Sequence, residues 1–263
     1  PKRVNEELEQ AQTLLRAARS IVAVTGAGIS AESGVPTFRG SKGLWKSYQP
    51  EELATPEAFA RDPLTVWEWY GWRRGLIATC SPNSGHRALA RLALSHPEVT
   101  IITQNVDGLH VRAAQEEAAD IDPSPALPIE LHGSIDRDRC SACDARQPGS
   151  QEIDITSIDP LPRCDRCSGL MRPDVVWFGE ALDEIVLDRA FTLAHSADLC
   201  FVVGTSALVH PAASVPLATL HNGGKLIEIN IQETALTPYA SATLAAPAGS
   251  VLTTLLSGYD NSA

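Results

Sequence analysis

The stretch that decides the fold reads IVAVTGAGISAESGVPTFRG and spans residues 21–40. It opens with a short apolar run that is typical of a buried strand, and it then turns through Gly26 and Gly28 into a segment of small residues. In α/β sheets, a strand–glycine–helix unit brings backbone N–H groups up to a phosphate. The stretch therefore predicts a Rossmann-like parallel sheet with a dinucleotide site at its strand ends.

A hydride-transfer enzyme would carry an acidic residue about 20 positions further on, at the end of a second strand, to bind the adenosine ribose. Residues 39–46 read RGSKGLWK, which has no strand pattern and no acid. The loop is thus typical of phosphate binding, whereas the usual dehydrogenase interpretation lacks support.

The rest of the chain alternates helix and strand patterns. Apolar spacing predicts helices over residues 4–18, 84–95, 183–195 and 211–221, and strands over 99–103, 129–131, 198–203 and 225–230. Residues 41–80 contain helix starts but no strand, so we expect a small helical insert. Polar or glycine residues follow several strands, and parallel sheets bind ligands at those ends.

Composition narrows the function classes. The 263 residues carry a formal net charge of -11, so a general electrostatic attraction to nucleic acid is not expected. No apolar run approaches the roughly 20 residues that a membrane helix needs, so no membrane partner is expected.

The cysteines indicate a metal site. Two C-x-x-C pairs with 20 residues between them are typical of structural zinc, at Cys140, Cys143, Cys164 and Cys167. A redox pair or buried thiols are the alternatives. A site closed by four thiolates cannot activate water, so its expected role is scaffolding. Cys80 and Cys200 lie in apolar context and are expected in the core. This cysteine usage favours a reducing compartment, the cytoplasm or a mitochondrial matrix.

Two positions after strands are candidates for chemistry. His132 follows a predicted strand beside a glycine, where it could act as a general base or equally be a satisfied core histidine. Asn105 and Asp107 could bind an amide and ribose hydroxyls, or cap the following helix. His110 could support this turn, and we expect structural roles for His86, His96, His195 and His221.

Seven motifs in this order resemble the sirtuin family of NAD-dependent protein lysine deacylases. They are GAGISAESGVPTFR from residue 26, TQNVDGLH from 103, LHGS from 131, the two C-x-x-C pairs, VVWFGE from 175 and VVGTS from 202. The resemblance covers nearly the whole chain. It implies that NAD is consumed as a co-substrate, which agrees with the missing ribose acid.

The resemblance also implies the domain organisation and the partners. A Rossmann-like NAD-binding domain would comprise residues 1–40, 81–133 and 174–263, and a small domain would comprise 41–80 and 134–173. NAD and an acyl-lysine protein or peptide would bind between the two domains, with structural Zn²⁺ in the small one. We expect a monomer.

Site residues follow from the same resemblance. The expected NAD contacts are Gly26, Ala27, Gly28, Glu32, Thr37, Phe38, Arg39, Trp45, Gln104, Asn105, Val106, Asp107, Gly204, Thr205, Ser206, Asn230, Ile231, Gln232 and Ala248. Asn105 and His132 would be catalytic, with His132 accepting a proton from a ribose hydroxyl. The acyl oxygen would attack the ribose carbon as nicotinamide leaves, giving free lysine and O-acyl-ADP-ribose.

A second feature concerns the acyl group. Tyr70 and Arg73 share one face of a predicted helix, and their spacing is similar to the sirtuin subclass that removes succinyl, malonyl and glutaryl groups. Ala54 would leave room for the acid, and deacetylation would be weaker. The alternative is that Arg73 reaches solvent or pairs with Glu51 or Glu52. The substrate backbone would add as a strand to Val176, Trp177, Phe178, Gly179 and Glu180.

Other functions stay open at this point. A non-catalytic NAD or ADP-ribose sensor could keep the same fold, and a mono-ADP-ribosyltransferase would leave ADP-ribose on protein. A zinc-ribbon nucleic-acid binder conflicts with the charge of -11. Residues 115–128 are longer and richer in proline than the family link at this place, and His210 replaces a frequent aromatic.

Overall fold

The computed structural model describes residues 2–36, 48–150, 152–257 and 259. In these ranges the main sheet has six strands, all paired in parallel, in the order β3-β2-β1-β7-β8-β9. Its strands are β1 (Ile21–Thr25), β2 (Val99–Thr103), β3 (Ile129–Glu130), β7 (Leu199–Val203), β8 (Lys225–Ile229) and β9 (Ala242–Leu244).

The central strand β1 is buried on both faces, as its apolar run predicts. Ile21 and Ala23 pack into a cluster on one face of the sheet, whereas Val22 and Val24 pack into a second cluster on the other. Side chains alternate across a strand, so an uninterrupted apolar run fits a strand that is covered by helices on both sides.

The helices described lie around this sheet and in the insert. They are α1 (Lys2–Ala17), α2 (Ala27–Ala31), α3 (Pro50–Leu53), α4 (Pro56–Arg61), α5 (Pro63–Ala78), α6 (Ser84–Ser95), α7 (Leu109–Ala118), α8 (Glu184–Ser196), α9 (Val215–His221) and α10 (Ala248–Leu256). No helix in the described ranges combines the length and the apolar character needed to span a bilayer.

A break in strand order positions the site. The chain runs from β1 to β2 and β3 on one side of the sheet, and it later returns to place β7, β8 and β9 on the other side. Ligands of open parallel sheets bind in the crevice at such a reversal, at the carboxyl ends of the strands. Gly26 follows β1 and Gly204 follows β7, so the two loops face each other at this point.

A second, antiparallel sheet carries the cysteines. It has the order β5-β4-β6, with β4 (Gly133–Cys140), β5 (Arg146–Pro148) and β6 (Met171–Val175). A separate apolar cluster joins this sheet to α3, α4 and α5, with Trp67, Trp69 and Tyr70 among its buried members. The helical insert therefore shares its core with the cysteine module.

Most predicted elements are present, with small differences in bounds. The helix predicted over residues 211–221 starts at Val215, because residues 212–214 form a 3-10 turn. The strand predicted over 129–131 pairs over only two residues. In the 115–128 insert, α7 continues to Ala118 and a 3-10 helix follows at Ser124–Ala126. Ala126 is fully buried, so the proline-rich segment packs on the core.

Candidate functional site

A cavity of about 890 Å³ lies at the carboxyl ends of the parallel strands, where the strand order reverses. This volume lies within the roughly 300–1,000 Å³ that is common for small-molecule and cofactor pockets. The predicted site residues that line it are Gly26, Ala27, Gly28, Glu32, Gln104, Asn105, His132, Gly204, Thr205, Ser206, Asn230, Ile231, Gln232 and Ala248.

The glycines of the cavity allow two loops to touch. A Cβ atom on Gly28 would lie 2.6 Å from the Cα of Gly204, and one on Gly26 would lie 2.8 Å from the Cα of Thr205. Gly204 itself has a positive φ of 58°. The N–H of Gly28 donates to the Gly204 carbonyl at 2.7 Å, and the N–H of Gly26 donates to the Val203 carbonyl at 2.9 Å.

These bonds correct one part of the sequence interpretation. Gly26 and Gly28 line the cavity as expected, but their N–H groups are already used between the loops and do not cradle a phosphate. The physical requirement for glycine here is the close approach of two backbones. It is not visible in sequence because the partner loop lies far along the chain.

Asn105 belongs to a polar network at the end of β2. Its side-chain amide donates to the Gly26 carbonyl at 3.0 Å and to Ser30 Oγ at 3.2 Å. Within the described ranges Asn105 Oδ1 accepts no hydrogen bond, so this oxygen is the atom that Asn105 can offer to a ligand in the cavity.

Asp107 points into the same network rather than into the cavity. Ser30 Oγ donates to Asp107 Oδ2 at 2.7 Å, and the N–H of Leu109, the first residue of α7, donates to Asp107 Oδ1 at 2.9 Å. Burial raises the pKa of the Asp107 carboxyl, although these hydrogen bonds oppose the shift. Its carboxylate therefore binds the first N–H of α7, in line with the capping interpretation, although the N-cap residue itself is Gly108. Neither Asp107 nor Val106 is among the lining residues of the cavity.

His132 has one ring nitrogen fixed by the backbone. Its Nδ1 lies 2.9 Å from the Gln104 carbonyl oxygen. A carbonyl can only accept, so Nδ1 carries the proton and Nε2 is left with a lone pair. Burial lowers the pKa of His132, and the hydrogen bond to Gln104 opposes this only in part. The ring is consequently neutral at pH 7 and can accept a proton at Nε2.

Two further histidines support this region from inside. His110 Nε2 lies 2.9 Å from Thr25 Oγ1, His86 Nε2 lies 3.3 Å from Ser30 Oγ, and the two rings meet edge to face at 4.8 Å. Burial lowers the pKa of His86 to about 2 and that of His110 to about 4. Sequence reasoning anticipated the supporting role of His110 but missed the link from His86 to Ser30.

The far end of the cavity is tied together by side-chain amides. Gln104 Nε2 donates to Thr205 Oγ1 at 3.0 Å, and Asn230 Nδ2 donates to the Thr205 carbonyl at 2.8 Å. Glu32 accepts from the N–H of Gly249 at 2.6 Å, which holds the start of α10 against the glycine loop. These bonds join the ends of β2 and β8 to the loop after β7, and the start of α10 to the end of α2.

The four cysteines of the two C-x-x-C pairs converge as expected. Their Sγ atoms all lie within 4.8 Å of one another, with Cys140 and Cys167 3.4 Å apart and Cys143 and Cys164 3.7 Å apart. Tetrahedral zinc with Zn–S bonds of about 2.3 Å places sulfurs about 3.8 Å apart, so the donor set fits a structural zinc ion. Cys80 and Cys200 are buried elsewhere in the core, as predicted.

Tyr70 and Arg73 lie together in a tightly packed aromatic region. Tyr70 is fully buried, and its hydroxyl accepts a hydrogen bond from Trp177 Nε1 at 2.8 Å. The Arg73 guanidinium lies 5.0 Å from the centre of the Trp69 ring and 5.6 Å from that of Tyr70. Burial lowers the pKa of Arg73, while Tyr70 and the charge of Asp107 oppose this. Ala54 belongs to the same apolar cluster.

The segment predicted to pair with substrate is a turn instead of a strand. The N–H of Val176 donates to the His132 carbonyl, that of Phe178 donates to the Ala54 carbonyl, and that of Glu180 donates to the Trp177 carbonyl, all at 2.9–3.0 Å. Gly179 has a positive φ of 84°. An added substrate strand would therefore pair mainly with carbonyl oxygens of this segment.

Comparison with known proteins adds the family. The chain matches the Sir2 family over residues 26–211. The chain belongs to the Sir2 family, the sirtuins. An NAD-dependent protein deacylase of Pyrococcus abyssi is 49% identical over 241 residues, which make up 91% of this chain and 92% of the relative. A Sir2 homologue solved with NAD is 45% identical and superposes with a TM-score of 0.82, covering 97% of this chain and 93% of its own.

A more distant sirtuin structure contains a peptide. It is a Sir2–p53 peptide–NAD⁺ complex that is 30% identical to this chain, with a TM-score of 0.80 and coverage of 96% and 98% of the two chains. With the cavity, the NAD and ADP-ribose complexes among its structural neighbours assign NAD as the co-substrate of this sirtuin. Its four-cysteine cluster fits structural zinc.

Some site predictions for this sirtuin fall elsewhere. Thr37, Phe38, Arg39 and Trp45 lie outside the described residues. Sequence reasoning also missed several cavity-lining positions: Ala31, Leu208, Val209, Ile229, Glu233, Thr234 and Ala235. Leu208 and Val209 begin one residue beyond the VVGTS motif, so the rule that ligands sit beyond strand ends was the available signal.

Proposed function

We propose that this sirtuin is an NAD-dependent protein-lysine deacylase that prefers acyl groups ending in a carboxylate, such as succinyl, malonyl and glutaryl, and that deacetylates more weakly. It releases nicotinamide and O-acyl-ADP-ribose. The observation that carries the acyl preference is the placement of the Arg73 guanidinium among the rings of the insert, beside the Tyr70 hydroxyl.

Arg73 is partly buried, and a guanidinium that packs among aromatic rings favours an anionic ligand. The alternative pairing with Glu51 or Glu52 is disfavoured, because the Arg73 guanidinium packs over Trp69 and Tyr70. Guanidinium binds a carboxylate through two parallel hydrogen bonds, which a neutral acetyl group cannot accept.

The Tyr70 hydroxyl supports the same preference. It accepts a hydrogen bond from Trp177 Nε1, and the Arg73 guanidinium lies 5.6 Å from the centre of the Tyr70 ring. A phenol oxygen has two lone pairs and one proton, so beside the bond from Trp177 the hydroxyl can still donate its own proton. A buried donor requires an acceptor, and an acyl carboxylate oxygen supplies one. Ala54 lies in the same cluster, and a small side chain at this position suits a longer acid better than a bulky one would.

For the reaction, the chain supplies a base and an oriented amide. When bound, NAD supplies the ribose carbon to which the acyl oxygen becomes attached as nicotinamide departs. His132 holds its proton on Nδ1 against the Gln104 carbonyl and accepts a proton at Nε2. Asn105 offers Oδ1 to the cavity while its amide is fixed by Gly26 and Ser30.

Replacing Arg73 with methionine tests the acyl preference. Methionine keeps the length and apolar stem but removes the charge. Hydrogen bonds to a charged group contribute about 1.5–3 kcal/mol, so kcat/KM for a succinyl-lysine peptide should fall roughly 10- to 100-fold. Deacetylation of the matched acetyl peptide should change by less than about threefold, because an acetyl group makes no ionic contact.

Arg61→Met provides the control, since Arg61 is an exposed arginine at the end of the neighbouring helix α4. It should leave both activities unchanged. If R73M desuccinylates at the wild-type rate while deacetylation also persists, the pocket assignment is wrong. Nicotinamide release by the wild type, with acyl transfer and no ADP-ribose left on protein, separates the deacylase from a sensor and from an ADP-ribosyltransferase.

A further inference from the structure

Arg172 is a buried charge beside the substrate segment. It lies within β6 and is 5% exposed. Its two terminal nitrogens donate to the two carboxylate oxygens of Glu180 at 2.6 and 2.9 Å, and one of them also donates to the Val175 carbonyl at 2.7 Å. A paired, planar contact of this kind is the strongest form of an arginine–carboxylate interaction.

The same guanidinium stacks on an indole. Arg172 Cζ lies 3.2 Å from the centre of the Trp177 ring. A cation over the face of a tryptophan is attracted by the ring quadrupole, and the attraction grows when both groups are removed from water. Arg172 therefore holds the Val175 carbonyl, where the turn after β6 begins, and the Trp177 side chain within that turn.

Glu180 closes this turn. Its Oε2 accepts the N–H of Trp177 at 2.8 Å, while its own N–H donates to the Trp177 carbonyl at 3.0 Å. Burial by itself would raise the pKa of Glu180, but the hydrogen bonds from Arg172 and Trp177 and the charges of Arg172 and Arg139 lower it overall. The carboxylate is thus held ionised within the turn, while Phe178 between the two ends is 49% exposed.

Trp177 also contacts the residues of the proposed acyl region. Its indole Nε1 donates to the Tyr70 hydroxyl at 2.8 Å, and its ring also packs against Phe59 with centroids 5.4 Å apart. A continuous set of contacts therefore leads from Arg172 through the Trp177 ring to the hydroxyl that faces the acyl group.

We propose that Arg172 is a positioning residue for the acyl-lysine substrate. It touches neither the peptide nor NAD. It holds the Trp177–Glu180 turn against which the peptide lies, and it orients the indole that fixes the Tyr70 hydroxyl. This inference rests on the proposed function for the identity of the substrate.

The test compares Arg172→Gln with Arg166→Gln, a matched change at an exposed arginine of the cysteine module. KM is measured for NAD and for succinyl- and acetyl-lysine peptides, and ADP-ribose binding is measured by calorimetry. R172Q should raise KM for both peptides about tenfold or more, since the turn loses its buried partner. ADP-ribose binding and KM for NAD should stay within about twofold, and R166Q should match the wild type.

Trp177→Phe is the second variant, because R172Q leaves Glu180 with only the longer arginine contact from Arg139 and could fail to fold. Phenylalanine keeps a ring for Arg172 but removes the N–H that reaches Tyr70. The succinyl-to-acetyl ratio of kcat/KM should fall about threefold to tenfold, the effect of one hydrogen bond. Melting temperature and bound zinc are checked for each variant.

Two results would overturn the inference. In the first, folded R172Q keeps the wild-type KM for both peptides, or W177F keeps the wild-type acyl ratio. In the second, peptide and ADP-ribose binding weaken in parallel, which indicates a general structural role. The proposed function is judged separately, by the acyl ratio of the wild type. If the wild type prefers acetyl-lysine, the effect of R172Q on KM for the acetyl peptide still decides the role of Arg172.

Discussion

Replacing Gly28 with alanine should damage both the fold and the NAD site. The added Cβ would lie 2.6 Å from the Cα of Gly204 and 2.8 Å from its carbonyl oxygen, whereas ordinary contacts begin near 3.4 Å. Both neighbours are backbone atoms, so no side chain can move aside. The two loops must separate, which also breaks the 2.7 Å hydrogen bond from Gly28 N–H to the Gly204 carbonyl.

The expected loss of stability combines two terms. Overpacking in a rigid site costs about 1–3 kcal/mol, and the lost hydrogen bond costs about 0.5–1.5 kcal/mol. A total of about 3 kcal/mol corresponds to a fall in melting temperature of roughly 6–12 °C for a chain of this size. ADP-ribose should also bind at least tenfold more weakly, because the separated loops form one wall of the cavity.

Thermal unfolding and calorimetric titration with ADP-ribose measure the two effects. Gly71→Ala is the control: a Cβ there meets nothing within 4 Å, and Gly71 lies inside α5. Alanine is the better helix former by about 1 kcal/mol, so G71A should be neutral or stabilising. If G28A melts within about 2 °C of the wild type and binds ADP-ribose normally, the argument from close loop contact is refuted.

Three further predictions concern protons and metal. His132→Asn should reduce the deacylation rate about 100- to 10,000-fold while ADP-ribose binding is retained. The kcat/KM of the wild type should fall only at acid pH, because burial lowers the pKa of His132. Equal losses of ADP-ribose binding and deacylation rate in H132N would contradict the role of His132 as a base. Burial holds the pKa of His110 at about 4 and that of His86 at about 2, against about 6.5 in the unfolded chain. Between pH 7 and pH 5 each histidine therefore binds a proton only in the unfolded state, which should lower the free energy of unfolding by about 2 kcal/mol per histidine. Denaturant unfolding of His110→Gln should show an acid loss smaller by about 2 kcal/mol, whereas the exposed-site variant His195→Gln should behave as wild type, and an unchanged loss in H110Q would be inconsistent. Chelation should remove a single zinc ion and unfold the β5-β4-β6 sheet, as followed by metal analysis and near-ultraviolet circular dichroism. Retention of the native spectrum after metal loss would show that this sheet does not need zinc to stay folded.

The sequence was sufficient for the features that depend on local pattern. The apolar run of β1 predicted a strand that is buried on both faces, and the two C-x-x-C pairs predicted the cysteine cluster. Positions directly after strands, such as Gln104 and His132, were expected at the cavity and lie there. In each case the spacing of a few neighbouring residues decides the outcome.

Features that depend on distant contacts were not predictable in this way. The role of Gly28 is set by Gly204, and the turn at Trp177 is closed by Arg172 and Glu180. Asp107 has the spacing of a ligand-binding residue, yet its carboxylate turns inward because Ser30 and the start of α7 provide donors there. The orientation of these side chains depends on contacts between residues far apart in the chain, and an alternating sequence pattern does not specify such contacts.

The most direct test of the central claim is a competition between acyl groups. Purified wild-type protein is incubated with NAD and equal amounts of succinyl-, glutaryl- and acetyl-lysine versions of one peptide, and mass spectrometry follows the products with time. Free lysine should appear first from the two acidic peptides, together with the matching O-acyl-ADP-ribose. Faster release from the acetyl peptide would contradict the acidic acyl preference, and no nicotinamide release from any peptide would contradict deacylation itself.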